Sequence, residues 1–155
     1  MPVRIFILLI GLFLSSSSTF SQTAYVKKYQ PLATELSEEY GIPIAVILGI
    51  AIHESGSGTS RNAKLLNNHF GVKGKNKLQK EKGIYSAYKQ YDDVKDSYKD
   101  FCKIIKKKKF YSGLKGNRDY TIWIEAISRA GYSVITTVWK ERVLSTIRKN
   151  KLHHI

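Results

Sequence analysis

The chain has 155 residues and a formal net charge of +14, from 26 lysines and arginines against 12 aspartates and glutamates. This length suffices for one domain with its own hydrophobic core, and the single cysteine, Cys102, excludes an intramolecular disulfide. The charge favours an acidic polymer as partner, which includes nucleic acid, anionic lipid and anionic cell wall. Cys102 lies in an apolar helical stripe, so we interpret it as a core residue rather than a catalytic thiol.

The N-terminus has the pattern of a secretory signal. Positive charge in residues 1–4 precedes an apolar run at 5–14, and small polar residues follow up to Ser21. We therefore predict a signal peptide at 1–21 and a mature domain at 22–155. An uncleaved anchor is the alternative, although the apolar run is short for a bilayer span. Export to the periplasm or the extracellular space argues against nucleic acid as the partner.

Two long helices are predicted first in the mature chain. Apolar residues at helical spacing indicate a helix at 24–40, which Gly41 ends as a left-handed cap. Pro43 suits the first turn of a second helix that runs to Glu54. Because this second helix is apolar almost all round, we expect it to be buried on most sides.

A short helix and a small β element are predicted next. Thr59 or Ser60 is expected to cap a helix through Leu66. Residues 72–91 lose helical periodicity and end in an alternating run, which indicates a loop and a small β element.

Three more helices complete the predicted fold. Asp92 or Asp93 is expected to cap the first, and Asn117 or Asp119 the second. The third begins near Thr137. The predicted fold class is mainly α (α+β), with a helical lobe and a small β-hairpin lobe, as in lysozyme-like proteins.

Glu54 occupies an informative position, between an apolar helix and the break Gly56-Ser57-Gly58. Apolar surroundings and the negative end of a helix dipole both disfavour the charged form of a carboxyl group. A glycosidase needs a protonated carboxyl group to protonate the leaving oxygen. Gly56 and Gly58 carry no side chains and would let a polymer approach. The alternative is that Glu54 is simply the first solvated residue after a buried helix.

Several short segments occur in the order and near the spacing of one enzyme family. They are Tyr25–Ala33, Glu39–Pro43, Glu54–Ser60, Asn67–Lys73, Tyr91–Tyr98 and Ala130–Tyr132. Together they resemble the glucosaminidase-type peptidoglycan hydrolases, glycoside hydrolase family 73. The resemblance extends over nearly the whole predicted mature chain.

The resemblance implies a lysozyme-like fold and endo-β-N-acetylglucosaminidase activity, which cleaves the β-1,4 bond after N-acetylglucosamine in peptidoglycan. It places the general acid at Glu54. It also implies that Tyr132 lines the cleft near the reacting sugar, and that Asn68 and Phe70 shape the floor beneath Glu54; these three are our predicted substrate-binding residues. Ordinary core packing of Tyr132 or Phe70, and local turn chemistry for Asn68, are the alternatives.

Most glycosidases use a second catalytic carboxylate, and the family pattern does not identify one in this chain. The position expected by register with the family carries Ser86. Glu81 is our prediction for the second acid, whereas Asp92 and Asp93 are better explained as helix caps. Without a second acid, the N-acetyl group of the substrate could act as the nucleophile.

The chain departs from the family pattern at two positions of the expected cleft. Relatives usually carry Ala-Thr-Asp-Pro where this chain has Ser133–Thr136, and an aromatic residue where it has Ser57. His53 adjoins the predicted acid, but adjacent helical residues point in different directions, so we expect no catalytic role for it.

The sequence therefore predicts an exported, monomeric glycosidase that needs no metal and no cofactor. Its expected partners are peptidoglycan glycan strands and, through the basic surface, anionic envelope polymers, with no nucleic acid. The alternatives are a lytic transglycosylase or muramidase on the same fold, or a cationic cell-wall-binding protein without turnover.

Overall fold

The computed structural model describes the backbone of residues 16–155 and the side chains from residue 24 onward. Within these residues the chain forms eight α-helices and a short 3-10 helix. The helices are α1 (Ser16–Tyr40), α2 (Ile44–Ser55), α3 (Arg61–Leu66), α4 (Leu78–Lys82), α5 (Val94–Lys106), α6 (Tyr111–Leu114), α7 (Tyr120–Arg129) and α8 (Thr136–Lys149), and the 3-10 helix spans Leu152–His154. The mainly helical fold class is confirmed.

Helix α2 forms the centre of the molecule. Every residue from Ala45 to Ile52 is buried. Helices α1, α5, α7 and α8 all pack against α2. A helix that is apolar on all faces is stable in water only when its neighbours cover it, and this layer of helices provides that cover.

Gly49 allows α8 to pack closely against α2. A Cβ atom at this position would collide with the side chain of Ile147 on α8. A larger residue would therefore push the two helices apart. Because Glu54 lies at the end of α2 and Trp139 near the start of α8, this close packing fixes the spacing between them.

The predicted helix ends are confirmed where local chemistry decides them. Gly41 follows α1 with φ +66°, and its N–H donates to the carbonyl of Ser37 at 2.8 Å. Of the candidate caps, the structure selects Ser60 for α3, Asp93 for α5 and Asp119 for α7. Each accepts a backbone N–H from the first turn of its helix, as an N-cap does.

Cys102 lies in the core, as predicted. Its side chain on α5 is fully buried beside Phe101 and Tyr98. Burial raises the pKa of the Cys102 thiol to about 12. A catalytic thiol must be accessible and readily ionised, so this cysteine contributes only to packing.

The predicted β-hairpin lobe does not form a regular sheet in the described residues. Two extended segments, 72–76 and 86–90, share one antiparallel bridge, between Lys73 and Tyr88, and α4 lies between them. Asn76 explains the irregularity, because its side-chain amide donates to the carbonyls of residues 86 and 88 at 2.7 and 2.8 Å. A side chain thus occupies acceptors that a neighbouring strand would otherwise use.

The predicted signal peptide, residues 1–21, lies mostly outside the described residues, and its end falls in the first turns of α1. The signal and the domain boundary therefore stay predictions. Among the helices described, none is both long and apolar enough to cross a membrane.

Candidate active site

Glu54 lies half-buried in the last turn of α2. Gly56 ends the helix in the left-handed conformation, with φ +55°. The buried Ser55 hydroxyl donates to the carbonyl of Ala51 at 2.6 Å and accepts the N–H of Gly58 at 2.8 Å. These bonds hold the chain immediately after the helix and so fix the backbone that carries Glu54.

Trp139 orients the Glu54 carboxyl group. Its indole Nε1–H donates to Oε1 of Glu54 at 2.6 Å. The tryptophan ring is only 5% exposed, so packing restricts its movement. The other carboxyl oxygen, Oε2, lies near Gly71, where a Cβ atom would come within 3.3 Å of it. The absence of a side chain at Gly71 keeps this oxygen accessible from the cleft.

The loop before Gly71 forms the floor beneath the carboxyl group. Asn68 is 1% exposed and donates to the carbonyls of Val72 and Lys89, both at 2.8 Å. Its side-chain oxygen accepts the N–H groups of Phe70 and Val72. Phe70 is also 1% exposed and stacks on a core phenylalanine with ring centroids 4.4 Å apart. In this conformation both side chains support the floor from below, and neither is accessible to a polymer.

Tyr132 lies beside Glu54 and Trp139. Its hydroxyl donates to the carbonyl of Phe70 at 2.7 Å, and its ring centroid is 5.2 Å from that of Trp139. Burial raises the pKa of Tyr132 well above its usual range, and the charge of Glu54 adds to the rise. The phenol is therefore neutral at all physiological pH values. Because its proton is directed at Phe70, its oxygen lone pairs remain free to accept a hydrogen bond.

These residues surround a cleft of about 530 Å³. Its lining comprises His53, Glu54, Asn62, Gly71, Lys73, Tyr88, Tyr132, Ser133, Val134, Ile135, Val138, Trp139 and Arg142. Glu54 is the sole carboxylate among these described lining residues. Lys73 and Arg142 are exposed, and neither takes part in the ion pairs of the described residues. The cleft therefore presents more positive than negative charge.

His53 lines this cleft together with Glu54. Burial lowers the pKa of His53; the Glu54 charge opposes this effect and the Arg142 guanidinium adds to it. The imidazole is therefore neutral at neutral pH. In the described part of the chain, no group of three or more His, Cys, Asp or Glu side chains is arranged to hold a metal ion.

Comparison with known proteins identifies the family. The model for the family "Mannosyl-glycoprotein endo-beta-N-acetylglucosaminidase", named Glucosaminidase, matches residues 30–152. The chain belongs to the glucosaminidase family. The matched region contains every residue of the Glu54 cleft. A search of curated proteins gave no match.

Solved structures similar to this glucosaminidase chain share its fold. The catalytic domain of the autolysin Auto from Listeria monocytogenes has a TM-score of 0.69 at 18% identity, with 98% of this chain and 99% of that chain covered. A C-terminally truncated glycoside hydrolase domain of FlgJ from Salmonella typhimurium has a TM-score of 0.65 at 20% identity, with 84% and 97% covered. The peptidoglycan hydrolase from Sphingomonas sp. A1 has a TM-score of 0.66 at 17% identity, with 85% and 91% covered.

The structure brings four of the five predicted site residues of this glucosaminidase together. Glu54 and Tyr132 line the cleft, and Asn68 and Phe70 lie beneath it. Glu81 is exposed on α4 and is not among the cleft-lining residues. Its catalytic role stays a prediction.

The glycines that give access to Glu54 differ from those expected. Gly56 serves as the helix cap, and a Cβ atom at Gly58 would lie 3.2 Å from Tyr25, away from the cleft lining. Gly71 is the glycine that faces the carboxyl group.

Sequence reasoning missed Trp139 and Arg142 as site residues, because apolar spacing placed the last helix only in the core. A buried tryptophan usually finds an acceptor for its N–H, and this rule is the one signal that could have drawn attention to Trp139.

Proposed function

We propose that this protein is an exported peptidoglycan hydrolase that cleaves the β-1,4 bond after N-acetylglucosamine, with Glu54 as the general acid. The observation that carries the proposal is the Glu54 carboxyl group, which lies in a cleft with one oxygen held by Trp139 and the other accessible over Gly71. Membership of the glucosaminidase family supports the substrate class. One similar structure is itself described as a peptidoglycan hydrolase.

The hydrogen bond from Trp139 determines which oxygen carries the catalytic proton. A tryptophan N–H can only donate, so a protonated Glu54 directs its carbonyl oxygen, Oε1, at Trp139. The proton then resides on Oε2, which lies over Gly71 and is reached from the cleft. From there it can pass to the bridging oxygen of the glycosidic bond as that bond breaks.

We propose that the N-acetyl group of the substrate supplies the nucleophile. Glu54 is the sole carboxylate of the described cleft lining, so the lining offers no side-chain partner for the developing positive charge. The N-acetyl oxygen attacks the anomeric carbon while the leaving sugar takes the proton of Glu54. Water then opens the cyclic intermediate and returns a proton to Glu54, which restores the acid.

Tyr132 is placed to stabilise that cyclic intermediate through a hydrogen bond. Its hydroxyl proton is directed at the carbonyl of Phe70, which leaves the phenolic oxygen able to accept the N–H of the N-acetyl group. The raised pKa of Tyr132 keeps the phenol neutral, so it acts by hydrogen bonding and not as a base. This assignment extends the predicted role of Tyr132 in holding the substrate.

Glu81 is the competing candidate for the second carboxylate. It lies on α4, exposed to solvent, and a catalytic role would require the irregular lobe to bring α4 to the cleft. A Glu81→Gln variant distinguishes the two mechanisms, because substrate assistance predicts wild-type turnover whereas a two-carboxylate mechanism predicts a large loss.

The N-terminal pattern and the net charge support a proposal for location and partners. We propose that residues 1–21 direct export and that the mature protein acts as a monomer. The net charge of +14 would hold it near anionic envelope polymers.

A lytic transglycosylase is the second candidate, and the same observation favours it, since such an enzyme also works with one glutamate. A transglycosylase cleaves the bond after the muramic unit instead of the bond after N-acetylglucosamine, and it leaves an anhydro-muramic end. A muramidase would cleave the same bond as the transglycosylase, but by hydrolysis.

The test is digestion of purified peptidoglycan by residues 22–155, with borohydride reduction and mass spectrometry of the products. The proposal predicts reduced N-acetylglucosamine ends. Reduced muramic ends would indicate a muramidase, and anhydro-muramic ends a transglycosylase; either result would contradict the proposed bond.

A further inference from the structure

A second cavity adjoins the Glu54 cleft. It has a volume of about 290 Å³ and lies between α3, α4 and the segment 85–88. Asn62 and Tyr88 line both the cavity and the cleft. Because the two spaces share these residues, the cavity borders the cleft directly on this side. We call the second space the Arg61–Tyr85 cavity, after two of its lining residues.

Tyr85 gives this cavity an exposed aromatic surface. Its side chain is 81% exposed, although the ring is large and mostly apolar. The C–H groups on one face of a sugar ring are apolar too, and they pack favourably on an aromatic ring because both surfaces leave water. An exposed tyrosine next to a polysaccharide cleft is therefore suited to hold a sugar unit.

The backbone that carries Tyr85 is fixed on both sides. The N–H of Ile84 donates to the carbonyl of Leu78 at 3.2 Å, and Asn76 donates to the carbonyl of Ser86 at 2.7 Å. Leu78 is buried beneath the segment. A platform on a fixed backbone loses little conformational entropy when it binds, which makes the exposed ring more effective.

Arg61 adds a positive charge to the same cavity. It is exposed at the first position of α3, and the ion pairs of the described residues do not include it. A guanidinium group matches the geometry of a carboxylate, with two parallel N–H donors. The muramic units of peptidoglycan carry carboxylates, on the lactyl ether or on the attached peptide, whereas N-acetylglucosamine units carry none.

We propose that the Arg61–Tyr85 cavity is an accessory subsite for the glycan strand, in which Tyr85 stacks on a sugar unit that lies beyond Asn62 and Tyr88 and Arg61 pairs with a muramic carboxylate. This proposal rests on the proposed function, because it assumes a glycan strand in the Glu54 cleft. It adds two substrate-binding residues and a reason for the enzyme to distinguish peptidoglycan from uncharged N-acetylglucosamine polymers.

The test compares substrates of different length and charge. The substrates are peptide-free glycan strands with lactyl carboxylates, either tetrasaccharides or long strands, and uncharged N-acetylglucosamine oligomers. For Tyr85→Ala we expect KM to rise about tenfold on long strands, which corresponds to about 1.4 kcal/mol, with kcat unchanged and tetrasaccharides unaffected. Tyr85→Phe keeps the platform and should behave like the wild type.

Arg61→Gln should raise KM on strands with carboxylates and leave KM on uncharged oligomers unchanged. The difference should shrink as salt is added, because the paired charges are exposed. Arg118→Gln is the matched control, since Arg118 is also exposed but lies outside the lining of the cleft and the cavity. An equal effect of Arg61→Gln on charged and uncharged substrates would overturn the carboxylate assignment.

The outcomes separate this proposal from the proposed function. If the wild type cleaves peptidoglycan and both Tyr85→Ala and Arg61→Gln match it on long strands, the subsite is overturned and the enzymatic proposal stands. If the wild type cleaves nothing but binds long strands, and Tyr85→Ala weakens that binding, the enzymatic proposal fails and the subsite stands.

Discussion

Replacement of Trp139 by phenylalanine tests how the acid is held. The change removes the Nε1–H that donates to Glu54 at 2.6 Å and keeps an aromatic ring beside Tyr132. Glu54 becomes charged as it gives up its proton in the transition state, and a hydrogen bond to a charged group contributes about 1.5–3 kcal/mol. If that energy fixes Oε2 in its productive position, its loss should lower kcat about 10- to 100-fold, since each tenfold costs about 1.4 kcal/mol of activation free energy. KM should change little, because the bond orients the acid rather than the substrate.

Trp123→Phe is the matched control for that experiment. The Trp123 indole also donates one hydrogen bond, to the carbonyl of Asn117 at 2.8 Å, and its ring is fully buried in α7. It does not line the Glu54 cleft. We expect this variant to unfold at a lower temperature and to keep the wild-type kcat.

The assay is the initial rate of release of reducing ends from solubilised glycan strands, corrected for the folded fraction by circular dichroism. A Trp139→Phe enzyme with wild-type kcat would refute the orienting role of the indole. An equal loss in Trp123→Phe would show that general destabilisation, not the contact with Glu54, lowers turnover.

Three further predictions follow from other contacts. Gly71→Ala places a methyl group 3.3 Å from Oε2 of Glu54 and should lower kcat. Gly83→Ala is the control, because Gly83 has nearly the same φ (+65° against +66°) and no atom within 4 Å of the added methyl group, so this change should cost only about 1–2 kcal/mol of stability. Equal activity in the two variants would contradict the claim that a methyl group at residue 71 crowds the Glu54 carboxyl group. Burial lowers the pKa of His69 from 6.5 to about 4, so its contribution to stability is complete above pH 6.5 and is lost as the pH falls towards 4, by up to about 3 kcal/mol. The free energy of unfolding, measured with urea, should therefore rise with pH between about pH 4 and 6.5, and His69→Phe should reduce this slope. The same slope in the variant and the wild type would contradict the prediction. Substrate assistance predicts retention of the β configuration in the first product, measured by proton NMR, and an initial α product would contradict it.

Much of the helical lobe could be predicted because short-range chemistry decides it. The apolar stretch before Glu54 forces α2 into the centre, and Ser60, Asp93 and Asp119 cap their helices through contacts within the first turn. These features depend on neighbours in the sequence, so periodicity and capping rules detect them.

The contacts that complete the site depend on distant residues. Trp139 reaches Glu54 across 85 positions, through close packing of α8 on α2 at Gly49. Gly71 faces the carboxyl group only because Asn68 folds its loop with bonds to the backbone. No local pattern specifies such pairs, so sequence reasoning singled out Glu54 and, through the family resemblance, Tyr132, but not Trp139 or Gly71.

The irregular lobe was predicted incompletely for a similar reason. The sequence alternation that predicted a β element at residues 84–88 does appear in the structure, where half-buried and exposed residues alternate. The pairing was not predictable, because Asn76 uses its side chain where a strand would use its backbone. A polar side chain that replaces a ladder partner leaves no periodic signal in the sequence.

The most direct test of the account is the digestion of peptidoglycan by Glu54→Gln beside the wild type and Glu38→Gln. Glu38 is an exposed glutamate on α1, so its variant carries the same chemical change outside the cleft. We predict reduced N-acetylglucosamine ends with the wild type and Glu38→Gln and none with Glu54→Gln, although Glu54→Gln still binds the polymer. Cleavage by Glu54→Gln at the wild-type rate would contradict the assignment of Glu54 as the catalytic acid.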